Sequence, residues 1–320
     1  MKSITELAKI AGAEVKEKEP LAKWTTFKIG GPAKYFVVIR SIEKLGAVLN
    51  FCREKKMPYI ILGGGSNLLI GEKGFAGLAI RLMADNFLVT ENKITVDAGM
   101  SLTRLVGLTA QCSLSGLEWA AGIPGTVGGA VHGNAGAYGG SMSQCVNAVT
   151  IWRDGKIVKL NKEDCHFIYR GSIFKATHNK DVILSAELVL NLGEEKTIRA
   201  KMMEIINKRR AKFVNINSAG STFKNIEMTE AEILEFKKKY PDLPDEFVKY
   251  RKIPAAWLID QCDLRGKTIG GAQVYENHAG IVINIGQATA ESVIMLISVI
   301  KQKVRMEFGL QLHEEIEYIG

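Results

Sequence analysis

Apolar and polar positions along the first part of the chain follow two periods in turn. Residues 33–39 are β-branched and aromatic and come straight after Gly30-Gly31-Pro32, a pattern that predicts a strand. Ser41 then opens a helix that carries Ile42, Leu45, Leu49 and Cys52 on one face and ends before Pro58. The apolar run Tyr59-Ile60-Ile61-Leu62 predicts the next strand, and Gly63-Gly64-Gly65-Ser66-Asn67 follows it. The result is a strand–helix–strand–loop unit. The loop is not a GxGxxG sequence opening a helix, so the dinucleotide fingerprint of a Rossmann domain is not met.

From about Leu78 the pattern changes to paired strands. Residues 87–97 read as two short strands around Glu91-Asn92, and residues 146–160 as a hairpin turning at Asp154-Gly155. A further strand is expected over 181–190. Residues 194–210 form a helix with Ile198, Met202 and Ile205 inward. Thr229-x-x-Glu232 is a capping box that opens a helix through Lys239. Residues 254–262 form a short apolar helix. Thr289 caps a long one with Val293, Ile297, Ile300 and Val304 on one stripe, closed by Gly309. Residues 310–319 read as a terminal strand, and residues 1–20 as a short amphipathic helix packing on the first domain. There is no internal repeat and no low-complexity tail.

Composition narrows the function. The 320 residues are 47% hydrophobic and 24% charged, which suits a folded globular protein with a sizeable core. The formal charge of +8 suggests an anionic partner. The basic residues are dispersed, however. The tightest cluster, Lys208-Arg209-Arg210-Ala211-Lys212, has no interleaved aromatics, so no nucleic-acid platform is expected. Five cysteines form no CxxC pair, which argues against a metal centre or disulfide framework and for reduced thiols in or near a core. The opening MKSITELAKIAG lacks a long apolar stretch, and the run from Val293 to Ile300 is far too short to span a membrane. A soluble cytoplasmic protein is expected.

The most distinctive segment is residues 120–140, AAGIPGTVGGAVHGNAGAYGG, with eight glycines and almost no charge. So few side chains argue against a packed helix or an ordinary strand, since each glycine loses much backbone entropy on folding. The expected use is to bring bare backbone N–H groups up to a phosphate. With the loop at 63–67 this suggests a large nucleotide cofactor held along its diphosphate.

Seven motifs, in order, make the chain resemble the UDP-N-acetylenolpyruvoylglucosamine reductase family. They are TTFKIGGPA at 25–33, LGGGSNLLI at 62–70, AGIPGTVGGAV at 121–131 with NAGAYGG at 134–140, YRGSIFK at 169–175, AGSTFKN at 219–225, AWLIDQ at 256–261 and IGGA at 269–272. The resemblance covers about residues 21–320. It implies an α+β fold: two FAD-binding subdomains of the vanillyl-alcohol oxidase (PCMH) type, at 1–78 and 79–200, and a C-terminal α+β substrate domain at 201–309. The strand at 310–320 would return to the first subdomain. The compact tail without an insertion near Tyr169 resembles the shorter, type II, subtype.

The resemblance also implies the chemistry. Enzymes of this family use non-covalent FAD, with NADPH as hydride donor, to reduce an enol ether of a nucleotide sugar in peptidoglycan precursor synthesis. Negative charge builds on the carboxylate beside the α carbon, so the site needs a cation there and a proton donor over that carbon. The implied catalytic residues are Arg170, Ser221 and Glu315. Cofactor contacts fall on Gly63, Gly64, Gly65, Ser66, Asn67, Gly122, Ile123, Pro124, Gly125, Gly128, Gly129, Asn134, Ala135 and Gly136. Substrate contacts fall on Tyr169, Lys212, Asn225, Arg265 and His278. No metal, nucleic acid or membrane partner is implied, and the chain is expected to be a monomer.

The residues alone leave alternatives open. The Arg170 fork fits a carboxylate bidentately but equally suits a surface ion pair. Gly220-Ser221 also reads as an ordinary loop. Strand parity puts Glu314 with Leu310, Leu312, Ile316 and Tyr318, and Glu315 with Gln311, His313 and Glu317, without saying which face meets the site. Ile226, His132-Gly133, His313 and Glu317 depart from the family's usual residues, the last two in the charge balance around Glu315. Another FAD-dependent oxidase of the same fold, or a non-catalytic nucleotide-binding protein, is the rival reading.

Overall fold

A computed structural model of the chain describes residues 2–177, 180–212 and 216–320. The chain forms two compact units. One comprises Met1–Trp24, Pro32–Ser66 and Gly74–Val214, and the other Thr25–Gly31, Asn67–Lys73 and Asn215–Gly320.

In the first unit the Ser41 hydroxyl accepts the Lys44 amide at 3.2 Å and starts the helix Ile42–Glu54. That helix buries Leu45, Val48, Leu49, Phe51 and Cys52. The sheet beneath it runs Val15–Pro20, Pro32–Ile39, Phe75–Leu82, Tyr59–Leu62. Its last three strands are parallel. Leu78, Ala79 and Ile80 are consecutive and fully buried, as a central parallel strand covered on both faces requires. The edge strand Val15–Pro20 was not foreseen. Its VKEKEP sequence is polar because an edge strand needs little burial. The amphipathic start is the helix Lys2–Ala11, which brings Leu7 and Ala11 into the same core.

Five antiparallel strands make the second sheet of this unit, in the order Lys156–Asn161, Val146–Arg153, Asp181–Val189, Lys93–Asp97, Phe87–Thr90. The hairpin turns at Asp154 (φ 50°) and Gly155 (φ 88°), the positive pair that a tight two-residue turn needs. The Arg153 guanidinium grips the buried Asp181 carboxylate with bonds of 2.6 and 2.8 Å.

The glycine-rich stretch contains a helix after all, Val127–His132. Its apolar side, Val127, Ala130 and Val131, is buried. Gly128 lies so close to Ala98 that an added Cβ would sit 2.8 Å from the Ala98 Cβ. Tertiary packing against residues 98–100 outweighs the poor helix propensity of glycine here.

In the second unit the helix Ala290–Phe308 begins with a reciprocal box between Thr289 and Ser292 and ends at Gly309, φ 69°. It buries Val293, Leu296, Ile297, Ile300 and Val304. Four short strands, Asn217–Ser218, Val282–Asn284, Ala272–Val274 and Thr268–Ile269, form an antiparallel sheet. The expected capping box opens the helix Glu230–Lys239. The expected strand over 310–319 is shorter, at Glu317–Ile319. This tail changes partner along its length. Residues 313–315 bond to 222–224, whereas Glu317–Ile319 pairs in parallel with Leu68–Ile70. One flat strand cannot serve both.

Candidate active site

The two glycine segments of the first unit meet. Gly63 and Gly64 leave the strand Tyr59–Leu62 and run against Gly125 and Thr126. A Cβ on Gly64 would lie 2.4 Å from the Gly125 Cα, and one on Gly63 would lie 2.6 Å from the Thr126 hydroxyl. Bare backbone is the only fit. The Ser66 hydroxyl donates to the Pro124 carbonyl at 3.2 Å and ties the two loops across 58 residues of sequence. Gly125 has φ 127°, which a side chain would strain. Backbone this open can approach a diphosphate closely, and the cradle fits the cofactor the sequence implies.

Not every amide in the stretch is available to a ligand. Val127 N–H donates to Met100 O at 2.9 Å, and Gly128 N–H to Ala98 O at 2.8 Å. Gly129 N–H donates to the Thr126 hydroxyl at 3.3 Å. Gly128 and Gly129 therefore spend on the chain itself the amides expected to meet a phosphate.

Asn134 acts as a brace. It is 7% exposed, its carboxamide donates to Ile168 O at 2.9 Å, and it accepts Ser143 N–H at 3.0 Å. The Ser172 hydroxyl donates to His132 O at 2.6 Å. These bonds fasten the tight turn 168–171 to the glycine stretch. Arg170 occupies that turn with φ 55°, an uncommon conformation for a residue with a side chain and one that clusters at functional sites. Its guanidinium donates to Gly136 O at 2.8 Å and lies 5.4 Å from the centre of the Tyr169 ring. Arg170, Tyr169 and the glycine stretch are thus brought together within one unit.

Arg209 was read only as part of a basic cluster. Its Nε donates to Gly122 O at 3.1 Å, from the last turn of the helix Glu195–Lys212. Burial pulls its guanidinium below the ordinary value, and the Tyr138 hydroxyl partly offsets this. A basic run at a helix C-terminus gives no sequence signal for such a clasp, since helix dipoles favour cations there anyway. Lys212 is the exposed last residue of the same helix.

The second unit gathers the other candidates. Ser221 is exposed and precedes Thr222, which is 2% exposed. Thr222 N–H donates to Gly280 O and its carbonyl accepts Glu315 N–H, both at 2.9 Å. The Thr222 hydroxyl accepts Val282 N–H at 3.0 Å. Ser221 and Glu315 are therefore held on neighbouring, mutually bonded segments. His278 joins them through its Nδ1, which accepts Gly280 N–H at 3.2 Å. Asn225 Oδ1 accepts Ala255 N–H at 3.2 Å. Arg265 grips Asp260, with one bond at 3.0 Å, and also donates to Glu276 O. That pairing raises the Arg265 pKa and lowers that of Asp260.

The resemblance places Asn67 in the cofactor loop. Here its carboxamide donates to Glu315 O at 3.1 Å, and its own carbonyl accepts Glu317 N–H at 2.9 Å. No motif could have announced a partner 248 positions away. Among the described residues no helix is long and apolar enough to cross a membrane, and no His/Cys/Asp/Glu cluster could hold a metal ion.

Comparison with known proteins finds two matching domain families along the chain. Residues 33–161 match an FAD binding domain, and residues 209–319 match the C-terminal domain of UDP-N-acetylenolpyruvoylglucosamine reductase. The chain is 38% identical over 316 residues to a UDP-N-acetylenolpyruvoylglucosamine reductase from Solibacter usitatus, covering 98% of this chain and 99% of that protein. It is also 38% identical over 312 residues to the reductase from Clostridioides difficile, covering 96% and 94%. The crystal structure of UDP-N-acetylenolpyruvylglucosamine reductase from Thermus caldophilus superposes with a TM-score of 0.74 at 30% identity, covering 96% of this chain and 99% of that one.

Proposed function

The chain belongs to the UDP-N-acetylenolpyruvoylglucosamine reductase family of FAD-binding oxidoreductases, and on that footing we propose that it reduces the enolpyruvyl ether of UDP-N-acetylglucosamine enolpyruvate to UDP-N-acetylmuramate with NADPH as donor. The product is a peptidoglycan precursor, made in the cytoplasm. When bound, without a covalent bond, FAD would supply the means of passing a hydride from NADPH to the β carbon of the double bond.

The chain's own residues do the rest. Gly63–Gly65 and Gly122–Gly125 would hold the cofactor's diphosphate between bare backbone segments. The contact of Gly64 on Gly125 is the observation that carries the reading, because it brings two glycine loops together main chain to main chain and leaves open backbone beside them. Arg170 steadies the charge that develops on the substrate carboxylate, for which a preset fork is suited. Ser221 gives its proton to the α carbon. A serine hydroxyl is a poor acid in water, so its surroundings must assist it. Glu315 completes the catalytic set as a carboxyl that can hold a proton. Tyr169, Lys212, Asn225, Arg265 and His278 bind the nucleotide sugar, with Arg265 exchanging Asp260 for a phosphate oxygen.

The test is Ser221→Ala in the yellow, FAD-loaded protein. Bleaching of the flavin by NADPH survives, whereas return of colour on adding the enolpyruvyl nucleotide sugar slows by about 10²–10⁴-fold, the range for losing a proton donor. Equal loss in both steps overturns the role of Ser221. Protein that carries no flavin and cannot be reconstituted with it overturns the whole reading.

A further inference from the structure

We infer that Asn67 is a positioning residue for Glu315, an inference that rests on the catalytic reading of Glu315. Two bonds link Asn67 to the tail. Its Nδ2 donates to Glu315 O at 3.1 Å, and Glu317 N–H donates to its main-chain carbonyl at 2.9 Å. Between those bonds lies Ile316, which is 5% exposed and anchors the segment in the core of the second unit. The other edge of the tail is held as well. Glu315 N–H donates to Thr222 O, and Lys224 N–H to His313 O, both at 2.9 Å. The peptide groups on either side of the Glu315 Cα are thus fixed from opposite sides, one of them by the residue next to Ser221.

A second contact decides which glutamate is presented. Glu314 pairs with Lys301 of the helix Ala290–Phe308 at 3.0 Å, and the two side chains are only 25% and 29% exposed. Successive residues of an extended segment face opposite ways. Glu314 is committed to the helix side, so Glu315 is turned away from it. The ambiguity that parity leaves between the two glutamates is resolved by Lys301, and the depth at which Glu315 sits is set by Asn67. The side-chain amide is required for this, because the main-chain bond from Glu317 persists in any variant.

Asn67→Ala releases the Glu315 carbonyl and leaves the tail paired. The substrate-driven return of flavin colour is expected to slow about ten- to a hundredfold, as for a catalytic group displaced by a fraction of an ångström. Measured per bound flavin, bleaching by NADPH and KM for the nucleotide sugar change far less than the substrate-driven return, since the positioning role is confined to the second chemical step. Amide exchange quickens at Glu315, because the carbonyl that anchored that stretch is free. In Asn67→Ala/Glu315→Gln the loss equals that of Glu315→Gln alone, as residues acting through one group are not additive. Asn67→Ser, too short to reach the carbonyl, gives the same result if the alanine protein fails to accumulate. Loss of flavin with normal substrate-driven return, or an additive double variant, overturns the inference. If Glu315→Gln is crippled and Asn67→Ala is normal, only this inference falls. If Glu315→Gln itself turns over normally, the catalytic reading falls first and takes this one with it.

Discussion

At Gly64 a single methyl group decides whether the two glycine loops can pack together. Gly64→Ala drives a Cβ to 2.4 Å from the Gly125 Cα, and main chain on both sides leaves nothing flexible to yield. Overpacking of this kind costs about 1–3 kcal/mol, and here the cost falls on the loop pair proposed to grip the diphosphate. The purified variant is expected to show a markedly raised ratio of protein to flavin absorbance and to regain flavin only at high added FAD. A normal ratio would count against the cradle. Arg170 is singled out in the sequence by its neighbours, YRGSIFK, and the structure sets it beside the glycine stretch, with its guanidinium on Gly136 O. The φ of 55° at Arg170 is not legible there, since backbone conformation at one residue is set by the turn closing around it. Asn67 shows the same limit: its place in a glycine loop is visible in the sequence, whereas its partner 248 positions away is set only by the fold.

Elements were read best where a local signal is sufficient. The helix Ile42–Glu54 has its serine cap and its apolar face, and the hairpin at Asp154-Gly155 has its turn pair. They were read worst where a distant surface supplies the stabilisation. The helix Val127–His132 exists because residues 98–100 take its first amides. The edge strand Val15–Pro20 exists because Pro32–Ile39 offers it a partner. The turn 168–171 is a further case, and Asn134→Ala tests it. Two part-buried hydrogen bonds at about 1 kcal/mol each are lost, so stability should fall by about 2 kcal/mol in urea unfolding. Arg170 is then less firmly held, and the substrate-driven step should slow more than the NADPH-driven one. Equal slowing of both would mean that Asn134 supports the fold alone.

For the whole molecule the buried thiols give a pH signature. Burial pushes Cys52 and Cys145 up to about 12 and Cys165 up to about 11, from an ordinary 9.0. The folded state therefore keeps protons that the unfolded chain releases. Stability from these groups is complete below pH 9 and is lost as pH climbs from there toward 12. Melting temperatures should decline across that interval, and Cys145→Ala should flatten the decline after allowance for its cavity. At pH 8 a thiol reagent should modify the exposed Cys112 quickly and the buried three only on unfolding. Rapid labelling of Cys145 in folded protein would contradict the packing around it.

The parallel pairing of Glu317–Ile319 with Leu68–Ile70 also sets a timetable for biosynthesis. A ribosome adding about 5–20 residues per second needs roughly 12–50 s to travel from the earlier strand to the later one. Throughout that interval Leu69 and Ile70, fully covered in the finished protein, have no mate for their strand. The second unit thus closes late, and nascent chains arrested before residue 317 should be recognised by chaperones or proteases through that waiting strand.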